Sequence, residues 1–454
     1  MMTSQWIKES IFYHIYPLGL CGAPEWNSLS SPVANRLEEL IPWLDHIQSL
    51  GANAIYLGPV FESSSHGYDT IDYYQVDRRL GNNDALKLFS DEAHQRGLRL
   101  VLDGVFNHVG RDFWAFKDVQ QLGEDSAYCG WFHNLSFNEV SPMGDPFNYE
   151  SWQGHYRLVK LNLSHPHVRA HLFDAVAMWM EQFNIEGLRL DAADSIDLDF
   201  LRALHNFTKL KRPDFYLLGE VVHGNYRDWV NPETLDSVTN YQCYKGLYSS
   251  LVEANYFEIA YGINRQFGAD GIYKDLCLYN FVDNHDVDRA ASKFDSPAML
   301  YPLYLLLFTM PGIPSVYYGS EWGIGGVKGQ WTDAPLRPAL ELPQLCSSTM
   351  KADLLKAIQG LAELRTSSPA IKYGDYKELF VDNQQFAFLR QFEGQKIVIA
   401  LNSSSCSVDL TLDLPWETGN LVDLLSPETR IDVNKGSVKL ALSATWGRVL
   451  SYEP

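Results

Sequence analysis

The sequence predicts an α/β protein: a (β/α)8 TIM barrel with an inserted lid domain after its third strand and a C-terminal antiparallel β-sandwich. Three observations carry this reading. Short apolar runs alternate with amphipathic helical stretches until eight strand-like segments are reached; repeated βα units build a parallel sheet, and eight of them close a barrel. Residues 109–157 are rich in Gly, Asn, Pro and aromatics without clear period, which is too long for an ordinary connection. From residue 372 onward the helical period is lost and short runs separated by turns replace it.

The units follow in order. IFYHIYP leads into RLEELIPWLDHIQSLG, and ANAIYLGPV into NDALKLFSDEAHQRG. LRLVLDGVFNH leads into the insert and then PHVRAHLFDAVAMWMEQF. GLRLDAAD precedes DFLRALHNFTKL; FYLLGEVV comes next, then a weaker strand signal near LDSVTNYQ. KDLCLYNFVDNHD precedes AMLYPLYLLLFTM, and IPSVYYGSE precedes DLLKAIQGLAELR. In the tail, QQFAFLRQF, KIVIALN, SVDLTLDL and VKLALSA read as strands. The expected limits are 1–108 and 158–371 for the barrel, 109–157 for the insert and 372–454 for the sandwich.

Bulk composition narrows the partners. Of 454 residues, 46% are apolar and 20% charged, and the net charge is −20. Such acidity disfavours nucleic acid and anionic membranes. AMLYPLYLLLFTM is too short to span a bilayer. No basic segment followed by a long apolar one is read near residue 1, so the expected location is cytoplasmic and the six Cys are expected to be free thiols.

Barrel enzymes work at the C-terminal ends of their strands. There the sequence places Tyr68 and Asp69; Asp103, Asn107 and His108; Arg189 and Asp191; Glu220 and His223; Asp283, Asn284, His285 and Asp286; and Glu321. Arg189 and Asp191 stand two apart, on one face of a strand that reads as buried. Buried charges need partners or a task. HExxH, GxSxG and GxxxxGK[ST] are absent, and GIGGVKG lacks the Ser/Thr after its Lys. Paired carboxylates without metal or nucleotide motifs point to glycosyl transfer, in which one acid protonates and another attacks.

VLDGVFNH, GLRLDAAD, GEVVH and FVDNHD, in this order, resemble the four short motifs of the α-amylase superfamily of retaining α-glucoside-acting enzymes (glycoside hydrolase family thirteen). SHGYDTIDYYQVD, PGIPSVYYGSE and the β-rich tail fit the same pattern. The resemblance implies a glycoside hydrolase with Asp191 as nucleophile, Glu220 as acid/base and Asp286 holding sugar hydroxyls. It implies that Arg189 keeps Asp191 ionised, that His108 and His285 bind the same sugar, and that the sugar stacks on Tyr68. Asp69 and Asp103 are expected beside them, Asp103 in support.

LVKLN, with Lys160, resembles the MPKLN signature of neopullulanase and cyclomaltodextrinase-type enzymes, and GEVVH their GEIWH. That implies short maltodextrins or cyclodextrins as substrate and His223 near the leaving group. No cofactor is required. A structural Ca2+ stays open, with Asn107 and Asp145 as candidate ligands. Transglycosylation on the same intermediate is the alternative to hydrolysis, and a non-catalytic glucan-binding relative is a further one. The oligomeric state is not legible.

Overall fold

The computed structural model describes residues 4–330, 332–347 and 352–454. Eight parallel strands line the barrel: β1 (Phe12–Ile15), β2 (Ala54–Leu57), β3 (Arg99–Gly104), β4 (Gly187–Leu190), β5 (Tyr216–Gly219), β6 (Ser237–Val238), β7 (Tyr279–Phe281) and β8 (Ile313–Tyr317). Their order in the sheet is β6-β5-β4-β3-β2-β1-β8-β7. A parallel bridge between Thr239 and Tyr279 joins the two ends of that order and closes the ring. Every strand read from the sequence is present, including the weak sixth. β5 alone passes to its successor through a single 3-10 turn, Tyr226–Asp228, rather than a full helix.

Successive side chains on a strand face opposite ways, and this alternation sorts the barrel. Ile55, Leu57, Leu100, Leu102, Leu188 and Leu190 point outward into the large core shared with the helices. The opposite parity, Phe12, Ala54, Tyr56, Val101, Tyr216, Leu218, Tyr279 and Phe281, fills the barrel interior. Following the inward parity to the strand ends reaches His14, Asp103, Arg189, Asp191, Glu220 and Asp283. The interior is therefore apolar below and ionisable at the top.

Helices cover the outside. Asn83–Gln95, Leu198–Lys211 and Tyr241–Val252 each begin at a residue whose side chain accepts a backbone N–H: Asn82, Asp197 and Asn240. Each such cap contributes about 1 kcal/mol. Leu300–Thr309 is apolar nearly all round because it is covered on both sides, by the barrel and by the C-terminal sheet. Among the described residues no helix is long and apolar enough to cross a membrane.

The insert is built on a small sheet of His108–Gly110, Ser151–Trp152 and His155–Lys160, with the helix Trp114–Leu122 beside it. Both expected limits, 108/109 and 157/158, fall inside its strands, so the unit runs from His108 to Lys160. The sequence misplaces them because these strands continue directly from barrel segments. Gly110 lies tight against the preceding loop: a Cβ there would stand 2.5 Å from the Asp69 carbonyl oxygen.

The tail is one continuous eight-stranded antiparallel sheet folded over a core that includes Leu389, Val398, Leu412 and Leu440. The four strands read from the sequence are there. Asp375–Val381, Thr418–Asp423, Arg430–Asn434 and Trp446–Glu453 join them. The helix Pro369–Tyr373 straddles the expected limit at 371/372. The other face of the sheet, with Phe386, Phe388, Ile397 and Ile399, packs into the barrel's own core.

Candidate active site

Arg189 organises the top of the barrel. Register pairs it with Asp103 on β3 and with Leu218 on β5. Its Nη1 donates to Asp103 Oδ1 at 3.0 Å and to Asp191 Oδ1 at 3.0 Å. Its Nη2 lies 2.8 Å from Glu220 Oε2. The guanidinium is 5.8 Å from the ring centres of both Tyr56 and Tyr68. One cation thus holds three carboxylates between two aromatic rings. The buried pair in GLRLDAAD is explained: it is part of a network, not an isolated ion pair.

The backbone assists. Ala192, directly after Asp191, adopts the left-handed conformation (φ 45°), a strained state for a residue with a Cβ. In that conformation its N–H donates to Glu220 Oε2 at 3.0 Å. The same oxygen therefore meets both Arg189 and Ala192.

A second cluster comes from the ends of β7 and β8. His285 Nε2 lies 2.9 Å from Asp286 Oδ2 and also contacts the Tyr68 hydroxyl. His285 stacks between Tyr68 and Tyr16, with ring centres 5.3 and 5.8 Å away. Arg337 donates from Nη2 to Asp286 Oδ1 at 3.0 Å and from Nε to the His285 carbonyl at 2.9 Å. Asp103 accepts from Tyr56 at 2.7 Å and Tyr68 at 3.1 Å, so it anchors rings around Arg189.

The acids differ in their electrostatics. Burial raises the Asp191 and Glu220 carboxyls, and Arg189 opposes this in both. The negative charge of Asp286 pushes Glu220 further up. Asp286 is shifted the other way: against the opposing effect of burial, His285 and Arg337 hold it well below the usual carboxylate range. Burial pushes His108 down to about 3, so it is neutral at ordinary pH. Its Nε2 lies 3.8 Å from Asp191 Oδ2. This arrangement can keep one proton among buried acids while a neighbouring acid stays ionised.

Five expected site residues stand differently. Asp69 is committed to its own loop: its Oδ2 accepts from Ser65 Oγ at 2.6 Å and its Oδ1 from the Ser65 N–H at 3.1 Å. His223 is exposed on the loop after β5. Lys160 pairs in register with His108 but sends its ammonium to Glu150 at 2.6 Å. Asn107 is buried, with Nδ2 3.1 Å from His108 Nδ1. Asp145 has one oxygen on each nitrogen of the Arg111 fork, both at 2.7 Å, and Ser141 and Gln120 fill its remaining sites. A guanidinium thus neutralises Asp145 where a cation would need it. Among the described residues no group of three or more His, Cys, Asp and Glu is placed to hold a metal ion. Asp145 is therefore not free to ligate a Ca2+, whereas Asn107 Oδ1 is buried without a hydrogen-bond partner among the described residues.

Sequence reading missed Arg337, Tyr16, Tyr56 and His14. His14 stacks on Tyr56 at 4.2 Å inside the barrel mouth. The inward parity of β1 and β2 was a usable signal for His14 and Tyr56.

A parallel barrel with buried paired acids at its C-terminal rim suits glycosyl transfer, and comparison with known proteins gives the class. Residues 35–352 match the α-amylase catalytic domain, and 376–445 the maltogenic amylase C-terminal domain. The chain belongs to the α-amylase family and is a glycoside hydrolase acting on α-glucans. It is 32% identical to a cyclomaltodextrinase from Bacillus sp. over 88% of this chain and 73% of that protein. A solved cyclomaltodextrinase superposes with a TM-score of 0.86 at 29% identity, covering 100% of this chain and 79% of that one. The cyclic α-maltosyl-(1→6)-maltose hydrolase of Arthrobacter globiformis superposes with a TM-score of 0.81 at 26% identity, covering 99% and 100%.

Proposed function

We propose that this enzyme cleaves α-1,4 bonds in maltodextrins and cyclodextrins with retention, through a covalent glycosyl-enzyme on Asp191. The observation that carries this is the shared guanidinium: adjacent nitrogens of Arg189 hold Asp191 and Glu220. Carboxylates held by one guanidinium can both reach one glycosidic bond, and the likeness of their segments to the α-amylase motifs favours direct attack by Asp191 over attack by an intervening water. Glu220, raised by burial and by Asp286, is the proton donor to the leaving oxygen and then the base for water. Asp191 attacks the anomeric carbon. Asp286, kept ionised by His285 and Arg337, accepts hydroxyls of the distorted ring. His108 Nε2 has no hydrogen-bond partner among the described residues, and it serves the same sugar. Tyr68 flanks that sugar with its ring.

The substrate class follows from the likeness to cyclomaltodextrinases and the LVKLN segment. The test is a time course with maltoheptaose, β-cyclodextrin and pullulan, with products resolved by size and their first-formed anomer read by NMR. Cyclodextrin opening with α-anomeric products supports the reading. A β-anomer first overturns retention. Products longer than the substrate move the assignment to a transglycosylase. No turnover of any of the three overturns the substrate class.

A further inference from the structure

The opposite end of the barrel holds a second feature. Segments entering β1, β7 and β8 (Ser4–Lys8, Leu276–Cys277 and Pro311–Gly312) meet the C-terminal sheet around a cleft of about 680 Å³. These are N-terminal strand ends, so the cleft faces away from Asp191, Glu220 and Asp286. In a chain of net charge −20, this cleft is lined by Lys8, Lys274, Lys372 and Arg390, with Asp275 as its only acid among the described lining residues. Asp275 is itself paired with Arg227.

Arg390 lines the cleft, and a second buried guanidinium, Arg365, neighbours it. Arg390, 1% exposed, donates to the carbonyls of Thr309 at 2.6 Å and Gly374 at 2.9 Å. Arg365, also 1% exposed, donates to those of Phe308 at 3.0 Å and Gly312 at 2.5 Å. Among the described residues neither forms an ion pair with a carboxylate, and the Nε of each has no partner. Two of those carbonyls end the helix Leu300–Thr309, whose dipole offers about half a unit of negative charge. Two full charges remain under-compensated. Burial and the neighbouring Arg365 push Arg390 down to about 9. A buried charge without a counterion is costly. Phe267, Tyr373 and Phe392 add aromatic surface to the same cleft, and its size is that of ordinary small-ligand sites.

We propose that this cleft binds a small aromatic phosphate monoester, its phosphate on Arg390 and the surrounding lysines and its ring against Phe267, Tyr373 and Phe392. Lys274 is paired with Asp375 at 3.6 Å, which leaves Lys8, Lys372 and Arg390 without a carboxylate ion pair among the described residues; three such cations favour a dianion over a monoanion.

Isothermal titration tests this with phenyl phosphate, AMP, inorganic phosphate and citrate, and with adenosine as uncharged control. Phenyl phosphate or AMP is expected to bind saturably and more tightly than inorganic phosphate, and adenosine not at all. Lys8→Gln combined with Lys372→Gln is expected to weaken binding roughly tenfold and leave the ligand-free hydrolytic rate unchanged. Arg390→Met, checked for its fold by circular dichroism, is expected to deepen the loss; the lysine pair decides the matter where that variant does not fold. No saturable binding of either aromatic phosphate up to about 10 mM overturns the proposal. Equal binding by the lysine variant overturns the location. Citrate binding in their place, or inorganic phosphate binding as tightly, overturns the ligand class.

Discussion

Arg337 holds Asp286 from outside the barrel strands: its Nη2 lies 3.0 Å from Asp286 Oδ1, while its Nε fixes the carbonyl of the preceding His285 at 2.9 Å. The same guanidinium lies 4.6 Å from the centre of the Tyr16 ring and 3.1 Å from Asp333 Oδ2. One residue after β8 thus sets the charge and the direction of an acid after β7. Arg337→Met is expected to raise the Asp286 carboxyl and to lower kcat/KM roughly 10- to 100-fold, the value of one or two charge-assisted bonds. The loss is expected in kcat as well as KM. Arg337→Lys keeps the charge without the fork and is expected to recover part of it. A variant with unchanged kcat would remove Arg337 from the positioning of Asp286.

Asp191→Asn and Glu220→Gln are expected to cost roughly 10²–10⁴ in kcat on maltoheptaose, with thermal unfolding close to wild type or above it. Removing carboxylates from a buried cluster relieves their mutual repulsion, so stability and activity are expected to part. Full activity in Asp191→Asn would sink the nucleophile assignment.

The pH profile follows from the shifts. Glu220 is raised above its ordinary value by burial, Arg189 opposing and Asp286 adding. Its acid form is the working one, so kcat/KM is expected to fall as pH rises through that raised value. Asp191 attacks in its ionised form and is also raised by burial, Arg189 opposing, so its protonation sets the lower limb, whereas Asp286 is depressed and stays ionised to the acid side. The Arg337→Met variant is expected to bring Asp286 into that limb, which a kcat/KM profile would read as a shift of the acid side to higher pH.

Asp145 governs the insert's acid tolerance. Burial works against its ionisation, but bonds from Arg111, Ser141 and Gln120 hold its carboxyl down to about 2. Its folded value lies below the unfolded one, so its contribution is full above about pH 4 and lost as pH falls toward 2. The Tm difference between wild type and Asp145→Asn is expected to be largest near neutrality and to close across that window. Added Ca2+ is expected to leave the Tm of chelator-treated protein unchanged; a rise that Asp145→Asn abolishes would restore the cation reading.

Much of the site was legible because strand parity is a local property. Once GLRLDAAD, FYLLGEVV and LRLVLDG are read as strands, Arg189, Asp191, Glu220 and Asp103 must share the inward face. What stayed hidden depends on chain returns that no local pattern encodes. Arg337 lies in an aperiodic stretch, and its tie to Asp286 exists only because the chain after β8 folds back over the rim. Asp69 and Asp145 read as site acids because nothing local shows that Ser65 and Arg111 take their oxygens. Tyr16 and Tyr56 resemble ordinary apolar strand residues until Arg337 and Arg189 are seen against their rings. The insert limits slipped for a related reason: His108–Gly110 belongs to a barrel segment by sequence and to the lid sheet by pairing.

The helix Leu300–Thr309 is covered on one side by the barrel and on the other by Phe386, Phe388, Ile397 and Ile399 of the tail sheet. The tail is therefore not a cargo hung on a finished enzyme but the outer wall of the enzyme's own interior. A gene cut after Tyr373 would yield a barrel with a greasy flank, prone to clumping rather than to working alone. Recombining such tails between relatives would succeed only where the helix travels with them.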